Sequence, residues 1–332
     1  MKRVFIIGGL GFIGYNLAKK LAQRQYEVYC IDSLINYMPT NFAAWNYYSK
    51  YRQQELELLG VKMYIEEVEG TSVKQRYFSI KPDYLINLAA MPVALLADIN
   101  PQQAKINIFD SNFQLLEMIK GAASNLSRYI YISSSMVYGN FLRDSHQQII
   151  PANENQTCKP IDTYGAFKLS AEILVQQYAY RYKIPFTIIR PSAVYGPTDC
   201  NMRVTEIFLK KAIKHETLEL DNGGQHELDF TYIDDLTEGI YLAMISEKAH
   251  NEIFNLSYGQ GRKIAELASI VKKYFPDIVI QTNDSKPFRP NRGAMDVSKA
   301  KTLLGYNPSF PLEKGIERYL DFLQKHINNY DI

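Results

Sequence analysis

The stretch Val4-Phe-Ile-Ile-Gly8-Gly-Leu-Gly11-Phe-Ile-Gly14 carries an unbroken apolar run straight into a glycine-rich turn. Unbroken rather than alternating hydrophobicity marks a strand buried on both faces. The residues after the turn, Phe12 to Arg24, predict a helix. Strand, glycine turn and helix in that order make a seat for a pyrophosphate. Gly8, Gly11 and Gly14 let the backbone approach the phosphates and the helix pack on its strand. Phe12 and Ile13 open the helix, whose N–H groups and positive dipole face the anion.

A second strand, Glu27-Val-Tyr-Cys-Ile-Asp32, ends in an acid about twenty residues past the loop, where an adenosine ribose would lie. A carboxylate accepts hydrogen bonds from the 2′- and 3′-hydroxyls and repels a 2′-phosphate. Asp32 therefore favours NAD over NADP as cofactor.

Apolar runs at Val4–Gly8, Val28–Asp32, Lys62–Glu66, Tyr84–Leu88, Tyr129–Ser133, Phe186–Arg190 and Ile253–Leu256 predict strands. Helical segments such as Pro101–Ala123 and Tyr164–Tyr182 fall between them. This βαβ rhythm predicts an α/β fold: a doubly wound parallel sheet of Rossmann type with a smaller C-terminal substrate-binding lobe. The expected division is a dinucleotide-binding domain over 1–190 and a substrate lobe over 191–332, with about 226–258 returning to the first. Beyond Arg190, turns such as Tyr195-Gly-Pro197 and Asp221-Asn-Gly-Gly224 break the rhythm.

The chain has 332 residues, 46% of them apolar, and a formal net charge of +2. Nothing in that balance points to nucleic acid or a membrane surface. The apolar runs are strand-length, far short of a bilayer span. The chain goes directly into its first strand, so no signal peptide is expected, and cytoplasm is the expected location. Cys30, Cys158 and Cys200 have neither metal-ligand nor disulfide spacing.

Tyr164-Gly-Ala-Phe-Lys168 places a phenol and an ammonium at i and i+4 on one helix face. A phenol titrates near 10, too high for an efficient base at neutral pH. A neighbouring ammonium and a positive nicotinamide ring favour its phenolate. Upstream, Ser133-Ser134-Ser135-Met136 closes a strand, and one of its hydroxyls can hold a substrate hydroxyl and help pass its proton to Tyr164. The abundance of tyrosine, 25 residues, means that Tyr164 gains its weight from this order of motifs rather than from its type.

Taken together, these motifs resemble the extended short-chain dehydrogenase/reductases, the NAD-dependent epimerase/dehydratase family acting on nucleotide sugars. The resemblance runs through Asp32-Ser33-Leu34, Asn87-Leu88-Ala89-Ala90, Arg190-Pro191-Ser-Ala193-Val-Tyr-Gly-Pro197, Asp229-Phe-Thr-Tyr-Ile-Asp-Asp235 and Asp296-Val-Ser-Lys299. It implies that Ser134 is the catalytic hydroxyl beside Tyr164 and Lys168. It implies cofactor contacts from Ser33, Leu34, Asn36, Glu67, Val68, Leu88, Ala89, Ala90, Asn107, Ser133 and Pro191. It also implies a homodimer through a four-helix bundle, here made from the apolar positions Ile106, Phe109, Phe113, Leu116, Ile173, Leu174, Tyr178 and Tyr182.

The departures shape the expected reaction. Family 4,6-dehydratases carry an acidic pair directly after the catalytic hydroxyl, whereas this chain has Ser135 and Met136, which cannot serve elimination. What remains is oxidation of a sugar hydroxyl, most often at C4, followed by return of hydride (epimerase) or release of the ketone (dehydrogenase). The same site could run as a ketone reductase. Asn87 stands for a usual His, Ala193 for a usual Asn, and Leu228 for a usual diphosphate-binding Arg. Other cations must then hold the diphosphate, the candidates being Arg203, Lys210, Lys211, Arg289 and Arg292. The spacing of Lys286-Pro-Phe-Arg289-Pro-Asn-Arg292-Gly-Ala-Met-Asp296 is similar to the C-terminal segment of GDP-fucose synthases. On that ground a GDP-linked hexose or heptose for surface-polysaccharide synthesis is the expected substrate, with Ser134, Ser135, Met136, Ala193, Arg203, Arg289 and Arg292 around it. A non-nucleotide alcohol dehydrogenase and a non-catalytic NAD sensor are the rival readings.

Overall fold

The computed structural model describes residues 1–121, 126–284 and 289–329. Seven parallel strands form the central sheet. They are β1 (Arg3–Ile7), β2 (Glu27–Asp32), β3 (Lys62–Ile65), β4 (Tyr84–Asn87), β5 (Arg128–Ile132), β6 (Phe186–Pro191) and, late in the chain, Glu252–Leu256. That last strand is the eleventh in chain order. Six short strands precede or follow it outside the sheet, so it is written β11. Of these, β7 (Val194–Tyr195) pairs in parallel with β10 (Thr231–Tyr232), and β8 (Leu218–Asp221) with β13 (Ile280–Asn283). The pair β9 (Glu227–Asp229) and β12 (Gly261–Lys263) is antiparallel.

The sheet order is β11-β6-β5-β4-β1-β2-β3. Winding reverses between β1 and β4, which opens a crevice at their C-terminal ends, where open α/β sheets bind ligands. The unbroken apolar runs have a direct cause. Val4 and Ile6 of β1 belong to one buried cluster, and Phe5 and Ile7 to another on the opposite face.

Helices cover both faces: α1 (Phe12–Gln23), α2 (Phe42–Leu58), α3 (Thr71–Ile80), α4 (Ala94–Ile99), α5 (Pro101–Ala104), α6 (Ser111–Ile119) and α7 (Thr163–Tyr182). The C-terminal half adds α8 (Val204–Ile213), α9 (Ile233–Ile245), α10 (Ile264–Tyr274), α11 (Ser298–Leu304) and α12 (Leu312–His326). α9 packs against α1, and β11 pairs with β6, so both return to the central sheet.

Two expectations change. The helix expected over Pro101–Ala123 is divided: a π-helical turn, Lys105–Asp110, separates α5 from α6. Its last two positions, Ala122 and Ala123, lie outside the described residues. The extra residue of a π turn re-aims side chains, and Gln103, Asn107 and Ser111 all line the crevice. The second change is α2, a helix within the long span between β2 and β3 where the sequence reading placed no element.

Not all the apolar positions expected on a dimer face are free. Leu116 is buried in the chain's own core, and Phe109, Leu174, Tyr178 and Tyr182 pack against that core. Ile106, Phe113 and Ile173 are exposed. Among the described residues, no helix is long and apolar enough to cross a membrane.

Candidate active site

A cavity of about 1500 Å³ opens at the switch between β1 and β4. The glycine loop forms one end of it. Gly8 has φ +76, and a Cβ there would lie 3.0 Å from the Ala89 nitrogen and the Leu88 carbonyl carbon. A Cβ on Gly14 would lie 2.1 Å from the Gly8 oxygen. The loop thus closes on itself with no space for side chains, and α1 has Gly11 at its N-cap and so no side-chain cap. Its first N–H groups are left for an anion. Gly8, Gly11, Phe12, Ile13 and Gly14 all line the cavity. These residues fit the pyrophosphate of a dinucleotide.

Asp32 has two jobs. Its Oδ2 accepts hydrogen bonds from the Leu10 and Gly11 amides at 2.9 and 3.1 Å, and its Oδ1 accepts one from Leu34 at 2.9 Å. It therefore shapes the glycine loop as well as facing the cavity. A carboxylate has about four acceptor sites, so capacity remains for ribose hydroxyls. Burial raises its pKa, and these amide donors oppose the rise.

Ser33, Asn36, Glu67, Val68, Leu88, Ala89, Ala90, Asn107, Ser133 and Pro191 line the same cavity. Leu34 does not: it packs against the core beneath, with φ +52. Asn107 donates to the Tyr37 hydroxyl at 2.8 Å and accepts from Gln103 at 3.1 Å. Asn87 is fully buried and donates to the Tyr129 hydroxyl at 3.1 Å and to Asn112 at 3.3 Å, while its own Oδ1 accepts from the Ala89 amide. An amide in place of a histidine thus belongs to a network that holds residues 88–90.

At the centre of the cavity, Ser134, Met136, Tyr164 and Lys168 come together. Ser134 follows β5 and N-caps the short turn Ser135–Tyr138, its Oγ accepting from the Met136 amide at 3.2 Å. Asp162 caps α7 by accepting from Gly165 at 2.7 Å, which places Tyr164 in the first turn and Lys168 one turn on. A further turn along, Glu172 pairs with Arg190 of β6 at 2.6 Å, both buried, which locks α7 to the sheet.

Lys168 Nζ donates to the Ile132 carbonyl at 2.7 Å and lies 5.8 Å from the centre of the Tyr164 ring. Burial lowers the Lys168 pKa to about 7, and Glu172 partly counters it. Burial raises the Tyr164 pKa, opposed by the charge of Arg203, a hydrogen bond with Ser134 and the charge of Arg292.

The cations fall into two groups. Arg203 pairs with Asp199 at 2.8 Å and donates to the Pro92 carbonyl at 3.1 Å. Lys210 pairs with Glu206 at 2.5 Å and Lys211 with Glu219 at 3.5 Å. Arg292 lines the cavity with Arg289, and its one hydrogen bond among the described residues is a 3.4 Å contact to Ser135 Oγ. Its Nε is buried without a partner. Ser135 is buried behind the cavity wall, while Ala193 and Leu228 line it. Lys286 and Pro287, part of the spacing that suggested a GDP-sugar, lie outside the described residues.

Sequence reading missed two contributors. Arg52 of α2 is buried and bridges the glycine loop to the segment after β7. It donates to the Leu10 carbonyl at 3.1 Å, to the Thr198 carbonyl, and to Cys200 Sγ at 3.5 Å. Only the apolar surroundings of Tyr48 and Tyr51 could have marked it as a buried arginine. His226, just before β9, lines the cavity with a buried, unpartnered Nε2. Burial, with Arg292 and Arg289 nearby, lowers its pKa to about 4, so it is neutral.

Comparison with known proteins agrees with this geometry. Residues 4–257 match the model of the NAD dependent epimerase/dehydratase family. The solved structure of UDP-glucuronic acid 4-epimerase from Bacillus cereus, in complex with UDP-glucuronic acid and NAD, superposes with a TM-score of 0.87. It is 28% identical, with 97% of this chain and 99% of that one covered. UDP-glucuronic acid decarboxylase 1 of Arabidopsis thaliana is 27% identical over 99% of this chain and 71% of its own length. An uncharacterized UDP-glucose epimerase of Bacillus subtilis is 25% identical over 97% of this chain and 98% of its own. The chain belongs to the NAD dependent epimerase/dehydratase family, and NAD is its cofactor.

Proposed function

We propose that the protein is a 4-epimerase of a UDP-linked sugar. The observation that carries the reading is the convergence of Ser134, Tyr164 and Lys168 in the cavity that the glycine loop closes. Held by Gly8, Gly11, Gly14 and Asp32, NAD would supply a hydride acceptor and donor for the sugar carbon. The chain supplies the rest. Tyr164 accepts the proton of the sugar hydroxyl at its phenolic oxygen and later gives it back. Ser134, hydrogen-bonded to Tyr164, holds that hydroxyl in line. Arg203 and Arg292 put positive charge near the phenol and favour its ionised form, and Lys168 Nζ lies 5.8 Å from the centre of its ring.

Ser135 and Met136 leave no acid or base beside Ser134 to eliminate water, which speaks against dehydration. The similar proteins include epimerases by name, which favours epimerisation over net dehydrogenation. The spacing of residues 286–299 alone suggests guanosine. The epimerases and the decarboxylase similar to this chain are UDP-sugar enzymes by name, which supports uridine as the base. We infer also that two copies pair through the π turn, α6 and α7, where Ile106, Phe113 and Ile173 stand exposed.

The test is incubation of the purified protein with UDP-glucose and, separately, UDP-glucuronate, followed by NMR of the sugar. Appearance of the 4-epimer without net NADH formation supports the reading. NADH accumulating in step with a ketone supports net dehydrogenation instead.

A further inference from the structure

We propose that the sugar carries a carboxylate on the ring carbon next to the reacting one, a hexuronic acid, and that Arg292, backed by the buried Ser135, is the group that reads it. The inference deepens the C4 reading above and rests on it.

Arg292 is delivered from a pinned extended segment. The Asn291 amide donates to Asn140 at 2.8 Å, the Met295 amide to the buried Asp229 at 2.9 Å, and the Asp296 amide to the Ala152 carbonyl at 2.9 Å. The side chain is therefore placed by the fold and does not roam the surface. Its guanidinium reaches Ser135, the residue directly after Ser134, whose hydroxyl pairs with Tyr164.

Three other cations of the cavity are already occupied. Arg203 has Asp199, Arg52 has two carbonyls, and Lys168 has the Ile132 carbonyl. Arg292 has the 3.4 Å contact to Ser135 and, among the described residues, no ion pair; the Asp162 carboxylate is near enough to act on its charge without bonding it, and the Arg292 Nε is buried and unpartnered. A largely buried guanidinium with unmade hydrogen bonds is costly, and an anionic ligand relieves that cost. Its planar fork fits a carboxylate in two parallel bonds.

The place of Arg292 distinguishes a carboxylate from the diphosphate. A carboxyl group on C5 lies two bonds from C4, while the diphosphate leaves from C1, across the ring. Arg292 adjoins Ser135 and acts on Tyr164, so it stands at the reacting side. The exposed Arg289 and the neutral His226 share the cavity and are the nearer partners for the nucleotide arm.

The experiment measures binding by calorimetry and turnover by NMR for the NAD-loaded protein with UDP-glucuronate, UDP-glucose and free UDP. Wild type and Arg292→Met are compared, with Arg292→Lys as the variant that keeps charge and loses the fork. The expected wild type prefers UDP-glucuronate to UDP-glucose by about 100-fold in kcat/KM. Arg292→Met is expected to erase that preference while changing the affinity for free UDP less than about threefold, and Arg292→Lys to fall between. Equal weakening of UDP-glucuronate and free UDP in Arg292→Met overturns the proposal, because it makes Arg292 a diphosphate ligand. A wild type that prefers UDP-glucose overturns it as well. Should Arg292→Met fail to fold, an unchanged preference in Arg292→Lys overturns it. Selective binding of UDP-glucuronate without 4-epimer supports the carboxylate site and sinks the epimerase reading. So does its conversion to a pentose with release of CO₂, in which the C5–C6 bond breaks, its electron pair enters the enolate of the C4 ketone, and C5 takes a proton.

Discussion

Tyr164 is asked to move a proton that an isolated phenol would hold until about pH 10. Burial makes the task harder, and the charges of Arg203 and Arg292 with the hydroxyl of Ser134 make it easier. Tyr164→Phe keeps the ring and removes the proton carrier. Turnover is expected to fall by about 10²- to 10⁴-fold while NAD still binds. Wild-type-like turnover in that variant would reject Tyr164 as the acid/base. Lys168 gives a prediction on stability. Its pKa is near 7 in the folded protein because the ammonium is buried, against 10.5 when free. Between those values the unfolded chain binds a proton that the folded chain does not, so stability rises with pH from about 7 to 10.5. Below 7 the full cost of burying the ammonium is carried. Lys168→Met removes both effects. In urea titrations of the NAD-free protein, the variant is expected to gain stability at pH 6 relative to wild type. Its stability should also lose the rise between pH 7 and 10, worth on the order of 1.4 kcal/mol per unit of pKa separation. Parallel pH profiles would contradict this account.

At the scale of elements, three pieces make the cofactor end: the β1–α1 loop, the β4 end, and α2 with its Arg52. Gly14→Ala pushes a Cβ to 2.1 Å from the Gly8 oxygen, with the Gly9 backbone at 2.8 Å. The loop must open, and loss of NAD binding is expected in a cofactor titration. Arg52→Met leaves the Leu10 and Thr198 carbonyls without their donor. A loss of about 1–3 kcal/mol in chemical denaturation, together with weaker NAD binding, is expected. Unchanged NAD affinity would show that Arg52 does not hold the glycine loop for its ligand. These elements also show what sequence could and could not tell. The β1–α1 loop was legible because phosphate approach demands glycine at particular places, and that demand leaves a pattern. Asp32 was legible by distance, but its bonds to Leu10 and Gly11 depend on how the loop curls over the strand end. Arg52 left no pattern: its partners are backbone carbonyls 42 and 146 residues away in the chain. The π turn at Lys105–Asp110 was equally hidden, since a helix periodicity does not register one inserted residue.

At the scale of the molecule, the seven-stranded sheet follows from strands buried on both sides, whose unbroken apolar runs can be read directly. The short strand pairs of the C-terminal half could not be read, because pieces of two to four residues carry too little periodicity. The apolar faces of α6 and α7 were legible as apolar, but which positions serve the chain's own core and which remain exposed needed the packing. Phe113 and Ile173, with Ile106 of the π turn before α6, are the exposed ones. Size-exclusion chromatography with light scattering at micromolar concentration is expected to give twice the chain mass of 38.2 kDa, and Ile173→Glu to shift it toward the monomer. A clean monomer mass for the wild type would refute pairing. The central claim, oxidation and re-reduction at one sugar carbon, has a direct test in UDP-glucose and UDP-glucuronate carrying deuterium at C4. In ordinary water, the protein is expected to interconvert at least one of them with its 4-epimer while both epimers keep the deuterium at C4. Loss of the label to solvent, or no interconversion of either sugar, would contradict it.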